Sequence, residues 1–147
     1  MPEVKPIPDG YTAVTPYLIV ENAAGFLDFL ADAFGAVERT RIPMGEGLIG
    51  HAEVEIGGAV VMLSDAAPPD FPVTSSQMHL YVENVDAVYA QAVKAGATSI
   101  AEPADQFYGD RVARVSDPSG NVWSIACHVE DVPMDELSRR LAEMGDA

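Results

Sequence analysis

The chain has 147 residues, 48% of them hydrophobic, which suits one domain with a real core and excludes a chain disordered by composition. With 23 acidic residues against 8 basic ones the formal net charge is −15, a field that repels phosphate backbones and excludes nucleic acid as a partner class. No apolar run approaches the ~20 residues that span a bilayer, and the single cysteine, Cys127, excludes an internal disulfide and fits a reducing cytoplasm.

The opening MPEVKPIPDG lacks the basic-then-apolar layout of a signal peptide and reads as a Pro-rich lead-in. Residues 13–20 alternate side chains of different character and predict a strand with two distinct faces. Asn22 stands where a helix N-cap belongs, because its short side-chain oxygen can accept a free N–H of the first turn. Phe26, Leu27, Leu30, Ala33 and Phe34 then form one helical stripe, and Gly35 stops the helix. Three strands are predicted at 37–42, 49–56 and 59–63, the last two joined by a tight turn at Gly57-Gly58. Residues 65–76, with Pro68, Pro69 and Pro72, read as a linker.

The pattern then restarts. LYVEN, Leu80 to Asn84, nearly copies LIVEN, Leu18 to Asn22, at an offset of 62. A strand at 77–82 leads to the Asn84 cap, a stripe of Val85, Val88, Tyr89, Ala92 and Val93, and a stop at Gly96. Strands at 98–101, 111–115 and 121–128 follow, with DPSG as the last turn. The order is βαβββ twice, module one over about 11–64 and module two over about 77–129. After Pro133, MDELSRRLAEM predicts a short amphipathic C-terminal helix over about 133–145, a packing helix or lid.

A doubled βαβββ unit whose first helix closes on FGA resembles the vicinal oxygen chelate superfamily, which includes glyoxalase I, extradiol dioxygenases, fosfomycin-resistance enzymes and bleomycin-resistance proteins. VTPYLIVENAAGFLDFLADAFGA, GHAEVEIGGAVVMLSD, HLYVENVDAVYAQAVKAGA and DQFYGDRVARVSDPSGNVWSIACHVEDV resemble its PhnB-like branch, over about Tyr11 to Val132. The resemblance implies an α+β fold in which two tandem modules form a cupped mixed sheet around one pocket, in a homodimer. Metal enzymes of this superfamily place four ligands in that cup, and the resemblance puts those positions at Thr15, Met62, Gln77 and Ser124. Of these only Gln77 is a conventional ligand, and a weak one, since hard divalent cations take carboxylate or imidazole. No metal and no cofactor are therefore expected.

Strand parity sorts the remaining side chains around the implied cup. Thr15, Tyr17 and Ile19 face it, as do His51, Glu53 and Glu55, because Ala52, Val54 and Ile56 pack on the helix. Gln77, His79 and Tyr81 line the other wall, with Val60, Met62 and Ser64 on one side and Val122, Ser124, Ala126 and His128 opposite. The same offset sets Arg111, Ala113 and Val115 against His51, Glu53 and Glu55. His51, Glu53 and His79 are candidates for a displaced metal site or for metal-free acid–base work; hydrogen bonding that merely shapes the cup is the bland alternative. In DQFYGDR, Phe107 and Tyr108 could cover a planar ligand, and Arg111 could hold an anion or pair with Glu53 or Glu55. Trp123 and Cys127 have core parity, and His128 is structural or exposed.

The expectation is a metal-free pocket protein sequestering a small organic ligand, cationic or aromatic, such as a drug or secondary metabolite, as in antibiotic resistance. Tyr17, Met62, Tyr81, Phe107 and Tyr108 would supply its walls, and Glu53, Gln77 and His79 its polar anchors. The alternative is an enzyme of the same superfamily, a lyase, isomerase or dioxygenase.

Overall fold

The computed structural model describes residues 3–145. In chain order the elements are β1 (Tyr17–Val20), α1 (Ala23–Phe34), β2 (Val37–Gly45), β3 (Leu48–Ile56) and β4 (Ala59–Asp65), then β5 (Gln77–Tyr81), α2 (Val85–Ala95), β6 (Thr98–Asp105), β7 (Asp110–Ser116), β8 (Val122–His128) and α3 (Met134–Gly145). This is an α+β chain of two tandem βαβββ modules. Their strands form two four-stranded mixed sheets, ordered β1-β4-β3-β2 and β5-β8-β7-β6. In each, the first strand runs parallel to the last and the other pairs are antiparallel.

Local chemistry sets the element ends. Asn22 accepts the Gly25 N–H at 3.2 Å and Asn84 the Ala87 N–H at 3.1 Å, each covering an orphan donor of a first helical turn. Gly35 closes α1 at φ +68°, where a side chain would be strained. β1 starts later than its composition suggests. Thr15 donates its hydroxyl back to the Thr12 carbonyl, and Pro16 has no N–H to give a ladder.

The core lies between the sheets and α1 and α2. Leu18, Val20, Val54 and Leu63 pack under Phe26 and Leu30, while Val115, Trp123 and Ile125 close the second module. Trp123 is 2% exposed, as its parity predicts. Cys127 shares that parity but sits one residue from the end of β8, so it packs against the core only in part and is half-buried rather than buried. α3 has no buried residue. It is tethered by Arg140, whose Nη1 donates to the Phe107 carbonyl at 2.8 Å and to Glu130 at 2.9 Å.

Candidate functional site

The first sheet builds its open face from alternate residues of three strands. The register sets Glu53 beside Met62, Met62 beside Tyr17, and Ser64 beside Ile19. Ala52, Val54 and Ile56 are buried on the opposite face, so His51 and Glu53 are turned outward, as parity requires. There they form a chain of hydrogen bonds. The Tyr17 hydroxyl lies 3.1 Å from His51 Nδ1, and His51 Nε2 lies 2.7 Å from Glu53 Oε2. The Tyr11 hydroxyl donates to the other carboxylate oxygen, Oε1. An ionised carboxylate only accepts, which assigns the proton to Nε2 in neutral His51 and leaves Nδ1 to accept from Tyr17. The Glu53 side chain is 13% exposed and that of His51 27%, so the pair is half-sheltered from water.

Two hollows open on this face. One, of about 480 Å³, is lined by Tyr17, Ile19, Met44, Ser64, Ala67 and Phe71 among others, and its wall is mainly apolar. The other, of about 300 Å³, lies between Pro8, Tyr11 and Thr15 of the N-terminal segment and Glu53 and Met62 of the sheet.

The second sheet presents Gln77, His79 and Tyr81, paired in register with Val122, Ser124 and Ala126. Its third strand departs from expectation. Arg111, Ala113 and Val115 pair with Cys127, Ile125 and Trp123 and belong to the helix-packed face. The open face instead takes Asp110, Val112, Arg114 and Ser116. The cause is turn length. β3 and β4 meet across Gly57-Gly58 alone, whereas Asp117 to Asn121 separate Ser116 from its partner Val122. The Asp117 carboxylate holds that longer turn, accepting from the N–H groups of Ser119 and Asn121 and from Trp123 Nε1. A one-residue slip of β7 relative to a constant offset exchanges its two faces. Arg111 therefore reaches neither Glu53 nor Glu55. It clamps Asp86 on the first turn of α2, with Nε and Nη2 at 2.8 and 2.9 Å, and also reaches Asp105. Those bonds raise the Arg111 pKa and hold the Asp86 carboxyl below its usual range.

Asp110, which parity under the constant offset does not pick out, is 6% exposed and accepts from Tyr81 and from His128 Nδ1, the latter at 2.8 Å. His128 also bonds Asp131 at 2.7 Å; the Asp131 and then the Asp110 bond raise its pKa. The Asp110 charge pushes the Tyr81 phenol up as well. Phe107 and Tyr108 pack edge to face at 5.2 Å in the loop before β7, Tyr108 exposed. His79 stacks obliquely on Tyr81 with ring centroids 5.0 Å apart.

Within one chain His79 and the His51–Glu53 pair stand on separate sheets. Among the described residues no three His, Cys, Asp or Glu side chains converge as a metal would need. Thr15, Met62, Gln77 and Ser124, the positions that the resemblance assigns to the superfamily's ligands, carry a hydroxyl, a thioether, an amide and a hydroxyl, a donor set that does not fit a catalytic divalent ion.

Comparison with known proteins places this geometry in context. The model of the Glyoxalase/Bleomycin resistance protein/Dioxygenase superfamily matches residues 10–125. An uncharacterized protein of Mycobacterium bovis is 38% identical over 144 residues, covering 91% of this chain and 95% of its own. Among solved structures, TioX from Micromonospora sp. ML1 superposes with a TM-score of 0.69 at 26% identity, covering 80% of this chain and 99% of that one. A gene product from Arabidopsis thaliana gives 0.67 at 25% identity, over 79% and 98%.

Proposed function

We propose that this chain, which belongs to the Glyoxalase/Bleomycin resistance protein/Dioxygenase superfamily, is a metal-free binding protein for a small organic molecule held on the open faces of its sheets. The observation that carries this reading is the hollow of about 480 Å³ beside Tyr17, Met44 and Phe71. It is of the size and apolar character that drug-sized ligands fill, with the polar groups of Tyr17 and Ser64 in its lining to orient them. A drug or secondary metabolite of mixed aromatic and aliphatic surface suits it, and a basic nitrogen on that ligand suits Glu53. The protein would act in a reducing compartment such as the cytoplasm, consistent with its one thiol. The four quoted segments support placing it in the PhnB-like branch.

The open faces also favour a homodimer. β2 is exposed along all nine of its residues, with Ile42 53% and Met44 48% exposed, and Tyr81 is 61% exposed on the other sheet. Such faces are covered economically by a second copy, with each pocket at or across the interface.

A ligand panel read by thermal shift, followed by calorimetry, tests the binding reading. Ligands that raise the melting temperature of the wild type should lose about tenfold or more in affinity in Tyr17→Ala, which removes one wall. If no compound in a broad metabolite and antibiotic panel stabilises the protein, the reading falls. Untagged protein incubated with zinc, nickel, iron and manganese should retain well below one metal per chain by elemental mass spectrometry. A stoichiometric metal lost in His51→Ala would overturn the metal-free reading.

The Tyr17–His51–Glu53 chain favours a second reading, metal-free acid–base catalysis. His51 Nδ1 would take a proton while Glu53 steadies the imidazolium. In that case His51→Ala removes turnover and leaves ligand affinity nearly unchanged.

A further inference from the structure

Arg114 differs from the other arginines of this chain. Arg41 pairs with Glu38, Arg111 with Asp86 and Asp105, Arg139 with Glu136 and Glu143, and Arg140 with Glu130 and Glu136, while Arg39 lies over the Tyr11 ring. Arg114 alone has neither a carboxylate partner nor an aromatic one among the described residues, although acids outnumber bases 23 to 8. It is half-buried in the middle of β7, where water cannot fully solvate it.

Its neighbours on the open face are donors. Arg114 pairs in register with Ser124, and Ser124 in turn with His79. The three side chains thus stand in one row across β7, β8 and β5, strands spaced about 4.8 Å apart. On the outer side the row ends at Ala101 of β6. Asp110, the acid of β7 on this face, lies four residues along the strand from Arg114 and is occupied by Tyr81 and His128. The equivalent row of the first sheet is Tyr17, Met62 and Glu53, so the two open faces carry opposite charges at matching positions.

We propose that Arg114, Ser124 and His79 form an oxyanion subsite that takes the carboxylate or phosphate of an organic ligand. The planar guanidinium fork fits either group through two parallel bonds, and the serine hydroxyl and an imidazole N–H add donors from the adjacent strands. The negative field of the whole chain does not forbid this, since at physiological salt it is screened within about 8 Å. The subsite deepens the small-molecule reading and rests on it: the first sheet meets the apolar or basic part of the ligand and the second its acidic group.

Three probes separate the possibilities: benzoate, phenyl phosphate and neutral benzyl alcohol, each titrated into ¹⁵N-labelled protein by NMR. The oxyanions should saturably shift amides of residues 77–81, 112–116 and 122–126. Arg114→Gln should weaken them about tenfold or more, the usual weight of a charge-assisted pair, with Arg114→Lys intermediate because it keeps the charge without the fork. Benzyl alcohol should bind beside Tyr17 equally in all three proteins. Preference between benzoate and phenyl phosphate tells a carboxylate ligand from a phosphorylated one. Equal oxyanion binding in wild type and Arg114→Gln, or shifts confined to Arg39 and Arg41, overturns the subsite while benzyl alcohol binding preserves the pocket. Arg114-dependent oxyanion binding without any benzyl alcohol binding upholds the subsite and removes the apolar pocket. Silence from all three probes overturns both.

Discussion

Single buried carboxylates hold much of this fold. Asp65, 4% exposed, accepts the Ala23 N–H through Oδ1 at 2.9 Å and the Ile49 N–H through Oδ2 at 2.7 Å. It thereby joins the start of α1 to the start of β3 at the foot of the larger hollow. Replacing Asp65 with alanine leaves two amides unpaired in a buried site and should cost about 3 kcal/mol in urea denaturation. Asp65→Asn, which keeps one acceptor, should cost about half as much. In sequence Asp65 reads only as the first residue of a linker, because its partners are backbone amides 42 and 16 residues away that no local pattern records. His51 and Glu53 were legible, since two residues apart on a strand share a face whatever the tertiary arrangement. Their link to Tyr11 was not, because it depends on how the N-terminal segment crosses the sheet.

At the level of elements, the caps behaved as the residue types dictate, and Asn84→Ala should loosen α2 by about 1 kcal/mol. The attachment of α3 is a tertiary matter. Gly109 sits at φ +105° with the Glu130 carbonyl 2.1 Å from where a Cβ would stand, and it accepts the N–H groups of Val129 and Glu130. Only glycine allows that approach. His128 ties the same junction to Asp131 and Asp110. Because its pKa is raised in the folded state, its stabilising effect is complete below the unfolded value of about 6.5 and is lost as pH rises through the raised value. The wild type should therefore lose stability relative to His128→Gln as pH increases across that window, measured by thermal melts in a pH series. A wild-type advantage that instead grows as pH rises would reverse the assignment. Glu136, lowered to about 2 by Arg139 and Arg140 of its own helix, braces α3 internally into the acid range; its contribution is present above the unfolded value of about 4.5 and disappears as pH falls toward 2.

For the whole molecule, the two modules are joined by their helices rather than by strand pairing. Phe34, the last residue of α1, stacks on Trp123 of β8 at 4.6 Å, and Gln91 of α2 donates to the Asp32 carbonyl. Phe34→Ala should cost about 2–3 kcal/mol, at the low end for an aromatic truncation because the ring is only half-buried. Calorimetry should show whether the modules then separate into two transitions. In solution the 15.6 kDa chain should sediment at about twice its mass if the exposed β2 and β5 faces are covered by a second copy. A monomer at tens of micromolar would remove the dimer from the proposal.

What the amino-acid sequence determined by itself was the doubled βαβββ order, the helix caps, the Gly57-Gly58 hairpin and the outward parity of His51, Glu53, His79 and Tyr81. Each rests on short-range spacing, which fixes direction and local hydrogen bonding without reference to the rest of the chain. Tertiary structure decided the register of β7, where a longer turn held by Asp117 brings Arg114 rather than Arg111 to the open face. It also decided that His79 stands on a different sheet from His51. Relations of this kind depend on turn length and on how the modules dock, and a periodic pattern carries neither.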